Sequence, residues 1–291
     1  MTRPVPHTTA PCWPPIPSGR LAVNIRRETR RGCAVALLGL PDDTGVRLNH
    51  GRPGAKEGPR AFRTALACYG ASESGAGAMP GVFDAGDIKP GRTLEETHRR
   101  VTDATAALLA AGLLPVAIGG GHDLTFPFVR AVAAAHPKLS ALYFDPHLDV
   151  RETRGSGMAF RKLVEECGLG PLHLHGFRPL VNSREHLAWF KANGGRLYPD
   201  SAKVALPRAR HLAVSFDLDV LDATHAPGVS ALNPCGWSVR KAATWVHACG
   251  ADPRVRCFDL MELNPRFDSG GQTARIAAHL FLTFLAGFAT R

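Results

Sequence analysis

Three apolar runs in this chain each end in a short cluster of Asp and His, and that repetition narrows the folds open to it. Residues 115–118 lead into Gly119-Gly120-Gly121-His122-Asp123, residues 141–144 into Asp145-Pro146-His147-Leu148-Asp149, and residues 211–216 into Asp217-Leu218-Asp219. Short apolar runs without polar alternation read as strands buried on both faces, the pattern of a parallel sheet. The Asp and His residues then emerge at strand ends, where open α/β sheets build their sites. In the second and third clusters they recur every second residue, so alternate side chains share one face. Fully extended, Asp145 and Asp149 would stand roughly 13 Å apart. Joint action by both therefore requires the chain to curl after His147.

Taken singly, each cluster has an ordinary reading. Asp-x-Asp is common in turns and helix caps. A triple Gly marks a tight turn, and this one has neither the Lys-Ser/Thr of a phosphate loop nor the dinucleotide spacing. Together, however, the clusters gather four carboxylates and two imidazoles, which would repel and desolvate one another without cations. Four Asp charges match two divalent ions better than one. Oxygen-rich ligation with two imidazoles suits Mn²⁺ better than zinc, which favours thiolate. Two such ions about 3.5–4 Å apart make a bridging water nucleophilic at neutral pH. These features point to a dinuclear metallohydrolase.

Further strands are expected at 35–40, 82–84, 172–176 and 256–262. Helices are expected near 58–63, at 94–111, after the triple glycine to about 135, and at 183–193, 239–249 and 273–288. Strands separated by helices imply a parallel sheet covered on both faces. A chain of 291 residues with 45% hydrophobic content can bury a large core, and it shows no mid-chain linker. Residues 1–31 differ in kind, with Pro4, Pro6, Pro11, Pro14, Pro15 and Pro17 followed by Arg26, Arg27, Arg30 and Arg31. They are expected to form a flexible arm, leaving 32–291 as one catalytic domain. The arm lacks the apolar core of a signal peptide.

The net charge of +10 invites a nucleic-acid reading, but the basic residues are dispersed and no aromatic-interleaved basic ribbon or zinc-finger spacing occurs. The charge fits solubility and attraction of small anions instead. Seven scattered cysteines without Cys-x-x-Cys fit reduced thiols in a cytoplasmic protein. The longest apolar stretch, 276–289, is interrupted by His279 and too short for a membrane span.

In order and spacing, the three clusters resemble the metal motifs of the ureohydrolases, the family of arginase, agmatinase and formimidoylglutamase, from about Val35 to the C-terminus. The resemblance implies a three-layer α/β/α sandwich around a mainly parallel sheet of about eight strands, two Mn²⁺ ions per subunit, and a homo-oligomer, trimer or hexamer. By motif match His122, Asp145, Asp149 and Asp217 hold one ion, and Asp145, His147, Asp217 and Asp219 the other. Three stretches resemble formimidoylglutamases: Asp43 to Ala55, with Asn49-His50-Gly51-Arg52-Pro53-Gly54-Ala55 at its end; Ala226-Pro227-Gly228-Val229-Ser230-Ala231; and Glu262-Leu263-Asn264-Pro265-Arg266-Phe267-Asp268, followed by Thr273-Ala274-Arg275. Ser156-Gly157-Met158-Ala159-Phe160-Arg161 joins them, with Phe160 read as standing where arginase and agmatinase place a proton-shuttling His. Pro146 replaces the usual Ala, and Phe216 and Ala223 also depart from the pattern; none changes a ligating atom.

The activity implied is hydrolysis of N-formimidoyl-L-glutamate to glutamate and formamide, a step of histidine degradation. Glu262 and Asp149 are the expected catalytic carboxylates, Glu262 pairing with the cationic nitrogens of the amidine. Arg52 and Arg151 are expected to clamp the substrate carboxylates bidentately, with Asn49, Ser156 and Asn182 as further contacts. For each of these five a solvated surface role is the alternative. Rival functions are an agmatinase or other guanidino-acid ureohydrolase, and a catalytically silent metal-binding paralogue.

Overall fold

A computed structural model describes residues 5–70, 79–201 and 203–291. The strands are β1 (Thr8–Thr9), β2 (Val35–Leu40), β3 (Val82–Ile88), β4 (Leu114–Gly119), β5 (Leu139–Phe144), β6 (Leu172–His175), β7 (Arg196–Tyr198), β8 (His211–Asp217) and β9 (Val255–Met261). The α-helices are α1 (Thr44–Leu48), α2 (Gly58–Leu66), α3 (Leu94–Ala110), α4 (Thr125–Ala135), α5 (Ala159–Cys167), α6 (Arg184–Ala192), α7 (Val239–Ala251) and α8 (Gln272–Phe288).

The sheet has nine strands in the order β1-β3-β2-β4-β9-β8-β5-β6-β7. Every pairing is parallel except that of β1 with β3. Alternation along each strand supplies two cores. In β2, Val35 and Leu37 face a layer that includes Phe62, Trp245 and Phe281 from α2, α7 and α8. Ala36, Leu38 and Leu40 face the opposite layer, with Val101, Val129 and Leu163 from α3, α4 and α5. This is the three-layer α/β/α sandwich expected from the sequence.

The topology explains why the polar clusters meet. β4 and β5 follow one another in sequence, yet β9 and β8 lie between them. The four strands that carry the polar clusters and Glu262 are thus the contiguous central four, all running the same way. Their carboxyl ends open on one edge at the point where strand order reverses, which is where such sheets bind ligands.

The first thirty residues require a correction. From residue 5 onward the segment expected to be a flexible arm is packed against the β3 edge; residues 1–4 lie outside the described residues. Thr8 and Thr9 pair with Ile88 and Asp87, and Arg26 bridges to Phe83. Val5, Ala22 and Ile25 are buried, and Trp13 Nε1 donates to Asp84 Oδ2 at 2.7 Å. Prolines favour an extended chain, and the edge of β3 offers unpaired backbone groups that such a chain can meet. β3 also runs to Ile88 rather than ending at 84, while α1, α5 and β7 appear in segments not expected to be regular.

Candidate metal centre

Tight packing delivers His122. A Cβ on Gly119 would stand 2.0 Å from Met261 Sδ, and one on Gly120 would stand 2.1 Å from the Asp42 carbonyl oxygen. Only glycine lets the chain leave β4 between these neighbours. The His122 backbone N–H then donates to Glu262 Oε1 at 2.6 Å, joining the ends of β4 and β9. Its ring Nε2 lies 3.0 Å from Ser215 Oγ on β8.

The cluster after β5 curls as required. Asp145 N donates to the His175 carbonyl at 3.0 Å, His147 N to Asp145 Oδ1 at 2.7 Å, and Tyr143 Oη to the Leu148 carbonyl at 2.9 Å. Asp149 adopts φ +49°, in the left-handed region, and this reverses the chain. Glu262 shares that conformation at φ +67°. Such a backbone costs a non-glycine residue about 1–3 kcal/mol and concentrates at functional sites. The curl brings Asp149 Oδ2 to 2.8 Å from His122 Nδ1, beside Asp145 Oδ2 at 3.0 Å and Asp217 Oδ2 at 3.1 Å.

One ring nitrogen cannot hydrogen-bond three carboxylates at once. Indeed His122 Nδ1 and Asp145 Oδ2 are buried without a hydrogen-bond partner, as is Glu262 Oε2. His122, Asp145, Asp149 and Asp217 each offer one ligand atom, and these atoms lie within 4.8 Å of one another. Atoms that converge on one point without bonding each other fit a divalent cation with oxygen and imidazole ligands. Among the described residues no other group of His, Cys, Asp or Glu converges in this way. His147 and Asp219 line the same cleft, with His147 Nδ1 3.1 Å from Asp145 Oδ1.

The electrostatics carry the same signature. Burial alone would depress the His122 imidazole, but the Asp145, Asp149 and Asp217 carboxylates override it and hold its pKa well above the usual value. Burial and then Asp145 push Asp217 up to about 6. Burial and then Asp217 push Glu262 up to about 8. Crowded buried acids with raised proton affinity mark a site built for added positive charge.

The cleft above the cluster, about 210 Å³, is lined by Asn49, Arg151, Ser156, Asn182 and Glu262. Arg151 Nη1 donates to Asn49 Oδ1 at 2.6 Å, and Asn49 Nδ2 donates to Ser156 Oγ at 3.2 Å. Arg52 is not among the lining residues. Its guanidinium donates to the Pro227 carbonyl at 3.1 Å and to that of Val229, and it stacks on Phe267 at 4.2 Å. Arg52 therefore clamps the 226–231 loop rather than a substrate carboxylate. Asn182 borders the cleft, but its amide is spent on the Leu148 N–H and the Pro146 and Arg178 carbonyls, bracing the ligand loop.

Phe160 also needs correcting. It is 1% exposed, stacked on Tyr143 with ring centroids 3.6 Å apart, and packed edge-on to His122. It faces the core, so its lack of a titratable group has no bearing on proton transfer in the cleft; Ser156 is the residue of that stretch lining the cleft. Sequence reasoning missed His186 and Ser230, which also line it. His186 sits on α6, whose sequence reads as a plain surface helix.

The arginase-family model matches residues 33–287. The chain belongs to the arginase family. Within that family, it is 36% identical over 270 residues to a formimidoylglutamase from Halobacterium salinarum, covering 86% of this chain and 87% of that protein. It is 30% identical over 278 residues to the mitochondrial guanidino acid hydrolase of Homo sapiens, covering 87% and 78% of the two. The crystal structure of Trypanosoma cruzi formiminoglutamase with Mn²⁺ superposes with a TM-score of 0.87 at 31% identity, covering 94% of this chain and 99% of that one. The arginase-family match takes in strands β2 to β9 and the centre at their ends, and leaves out β1.

Proposed function

We propose that this chain is a manganese-dependent hydrolase that cleaves N-formimidoyl-L-glutamate to L-glutamate and formamide. The observation that carries the proposal is the convergence of His122, Asp145, Asp149 and Asp217 in a cleft whose wall also holds Arg151. The kinship with formimidoylglutamases supports the substrate, and the Mn²⁺ in the similar solved structure supports the metal.

His122, Asp145, Asp149 and Asp217 would hold one ion, and Asp145, His147, Asp217 and Asp219 the second. Bound there, the pair would supply Lewis acidity and a water made nucleophilic at neutral pH. The residues do the rest. Glu262, with Oε2 unpaired, meets the amidinium nitrogens, and its raised proton affinity falls as that cation binds. Arg151 pairs with a substrate carboxylate, while Asn49 and Ser156 orient it. Water adds to the amidine carbon, and Asp149 takes the proton it releases. Asp149 then passes that proton to the glutamate nitrogen, and as the C–N bond breaks the hydroxyl proton of the adduct goes to the departing amine, so that amidinium and water become formamide and the glutamate ammonium.

A homo-oligomer, trimer or hexamer, in the cytoplasm completes the proposal; seven cysteines, all unpaired, suit a reducing compartment. Among the described residues no helix is long and apolar enough to cross a membrane. Adding Mn²⁺ stepwise to metal-stripped protein tests the core of the proposal. Formamide release should plateau at two equivalents per chain, and a plateau at one would remove the second ion set.

A further inference from the structure

A fully buried carboxylate stands behind the centre, outside every ligand set. Asp259 lies mid-way along β9, directly opposite Ser215 of β8 and Ala117 of β4. Its neighbours on the same face, Cys257 and Met261, are part of the apolar core. An acid at 0% exposure in such a layer is costly unless it is hydrogen-bonded. Its bonds run toward His122. Ser215 Oγ donates to Asp259 Oδ1 at 2.6 Å, Thr125 Oγ1 donates to Asp259 Oδ2 at 3.1 Å, and Ser215 Oγ meets His122 Nε2 at 3.0 Å.

We propose that Asp259, acting through Ser215, is the positioning residue that holds His122 with its Nδ1 lone pair aimed at the Asp145, Asp149 and Asp217 carboxylates. The direction of the chain follows from donor capacity. An ionised carboxylate only accepts, and a hydroxyl has one proton to give. With the Ser215 proton committed to Asp259, the hydroxyl oxygen must accept from His122, which puts the imidazole proton on Nε2 and frees Nδ1 for a cation. Outer hydrogen bonds of this kind fix the tautomer and orientation of a ligating imidazole. An amide at 259 could instead donate to Ser215, turn the hydroxyl proton toward Nε2, and leave Nδ1 protonated and unable to ligate.

The test measures Mn²⁺ affinity through the free-ion electron paramagnetic resonance signal, alongside melting of the metal-free protein in EDTA. Asp259→Asn and Ser215→Ala should each weaken the tighter Mn²⁺ site about 10–100-fold. Metal-free Asp259→Asn should melt no lower than the parent, since it removes a buried charge. Thr125→Val, which removes the second donor to Asp259 and the 3.4 Å contact of Thr125 Oγ1 with Ser215 Oγ but leaves the Ser215–Asp259 and Ser215–His122 bonds in place, should keep affinity within about threefold of the parent. Asp259→Asn with parental affinity and a lowered metal-free melting point would make Asp259 a mere tie between β9 and α4, and overturn the proposal. The inference rests on the metal reading. A parent protein that binds no Mn²⁺ would overturn both, whereas parental affinity in both variants overturns this one alone.

Discussion

Replacing Phe160 with His separates a residue that faces the reaction from one that supports it. The Phe160 ring is buried, stacked on Tyr143 at 3.6 Å and an interplanar angle of 22°, and set edge-on to His122 at 5.6 Å and 80°. Burying a phenyl side chain contributes about 1.5–3 kcal/mol, and an aromatic pair adds about 0.5–1.5 kcal/mol. An imidazole in the same place would recover part of this packing but bury polar nitrogens without partners, at about 1–3 kcal/mol. Phe160→His should therefore destabilise by roughly 3–5 kcal/mol, in the range reserved for core defects. It should gain no activity on guanidino compounds. Ser156→His places the imidazole in the cleft and should change stability by about 1 kcal/mol or less. Urea denaturation with Mn²⁺ held constant reads the stability, and urea release from agmatine reads the activity. A stable Phe160→His variant that hydrolyses agmatine would refute the assignment of this side chain to the core.

Other perturbations separate the remaining roles. Arg52→Ala should cost about 1–3 kcal/mol, because two loop carbonyls lose a charged donor, and shift KM less than Arg151→Ala, which should mainly raise KM; the reverse order would return Arg52 to the substrate. Asp217→Asn should empty the centre of metal and activity. Asp123→Asn should instead act through stability, since Asp123 Oδ2 meets buried His98 at 3.0 Å; metal content beside urea curves tells them apart. Trp13→Phe, which removes the donor to Asp84 and shrinks the ring beneath the Arg27 guanidinium, should cost about 1.5–3 kcal/mol, and an unchanged urea midpoint would detach residues 5–31 from the fold. Burial holds both His173 and His175 down to about 4. The unfolded chain takes up these protons first as pH falls through 6.5, so stability should drop by roughly 2–3 kcal/mol between pH 7 and 5. His175→Phe should remove about half of that fall, and an identical pH curve in the variant would contradict it.

The elements that could be read from the sequence are those whose cause is local. β2 and β8 occupy the expected residues because six consecutive buried positions in each call for a mostly apolar run. The ligand clusters were legible because residue type and spacing alone limit their chemistry. What stayed hidden depends on partners remote in sequence. Thr8 and Thr9 become a strand only because the β3 edge is there to receive them. Arg52 has the chemistry of an anion clamp, and only the 226–231 loop, some 175 residues away, shows that carbonyls occupy it. Phe160 sits in a stretch whose motif invites a catalytic reading, but α5 begins at Ala159 and turns the ring into the core. Asp259 did leave a trace, as a lone acid in the middle of an apolar run, and its meaning needed Ser215 and His122 beside it.

The most direct test of the central claim is the ratio of kcat/KM values for N-formimidoyl-L-glutamate and for a panel of guanidino compounds, with Mn²⁺ saturating. In the proposed binding mode the amidinium pairs with Glu262 and a substrate carboxylate with Arg151, both of which line the cleft; agmatine would leave Arg151 facing a cation. Mismatched charge in such a site costs several kcal/mol, so formimidoylglutamate should lead agmatine by about a thousandfold or more, with formamide and glutamate released in equal amounts. Guanidino acids, which keep the carboxylate, should fall between the two. A guanidino acid or agmatine turned over faster than formimidoylglutamate, with urea as product, would contradict the substrate assignment.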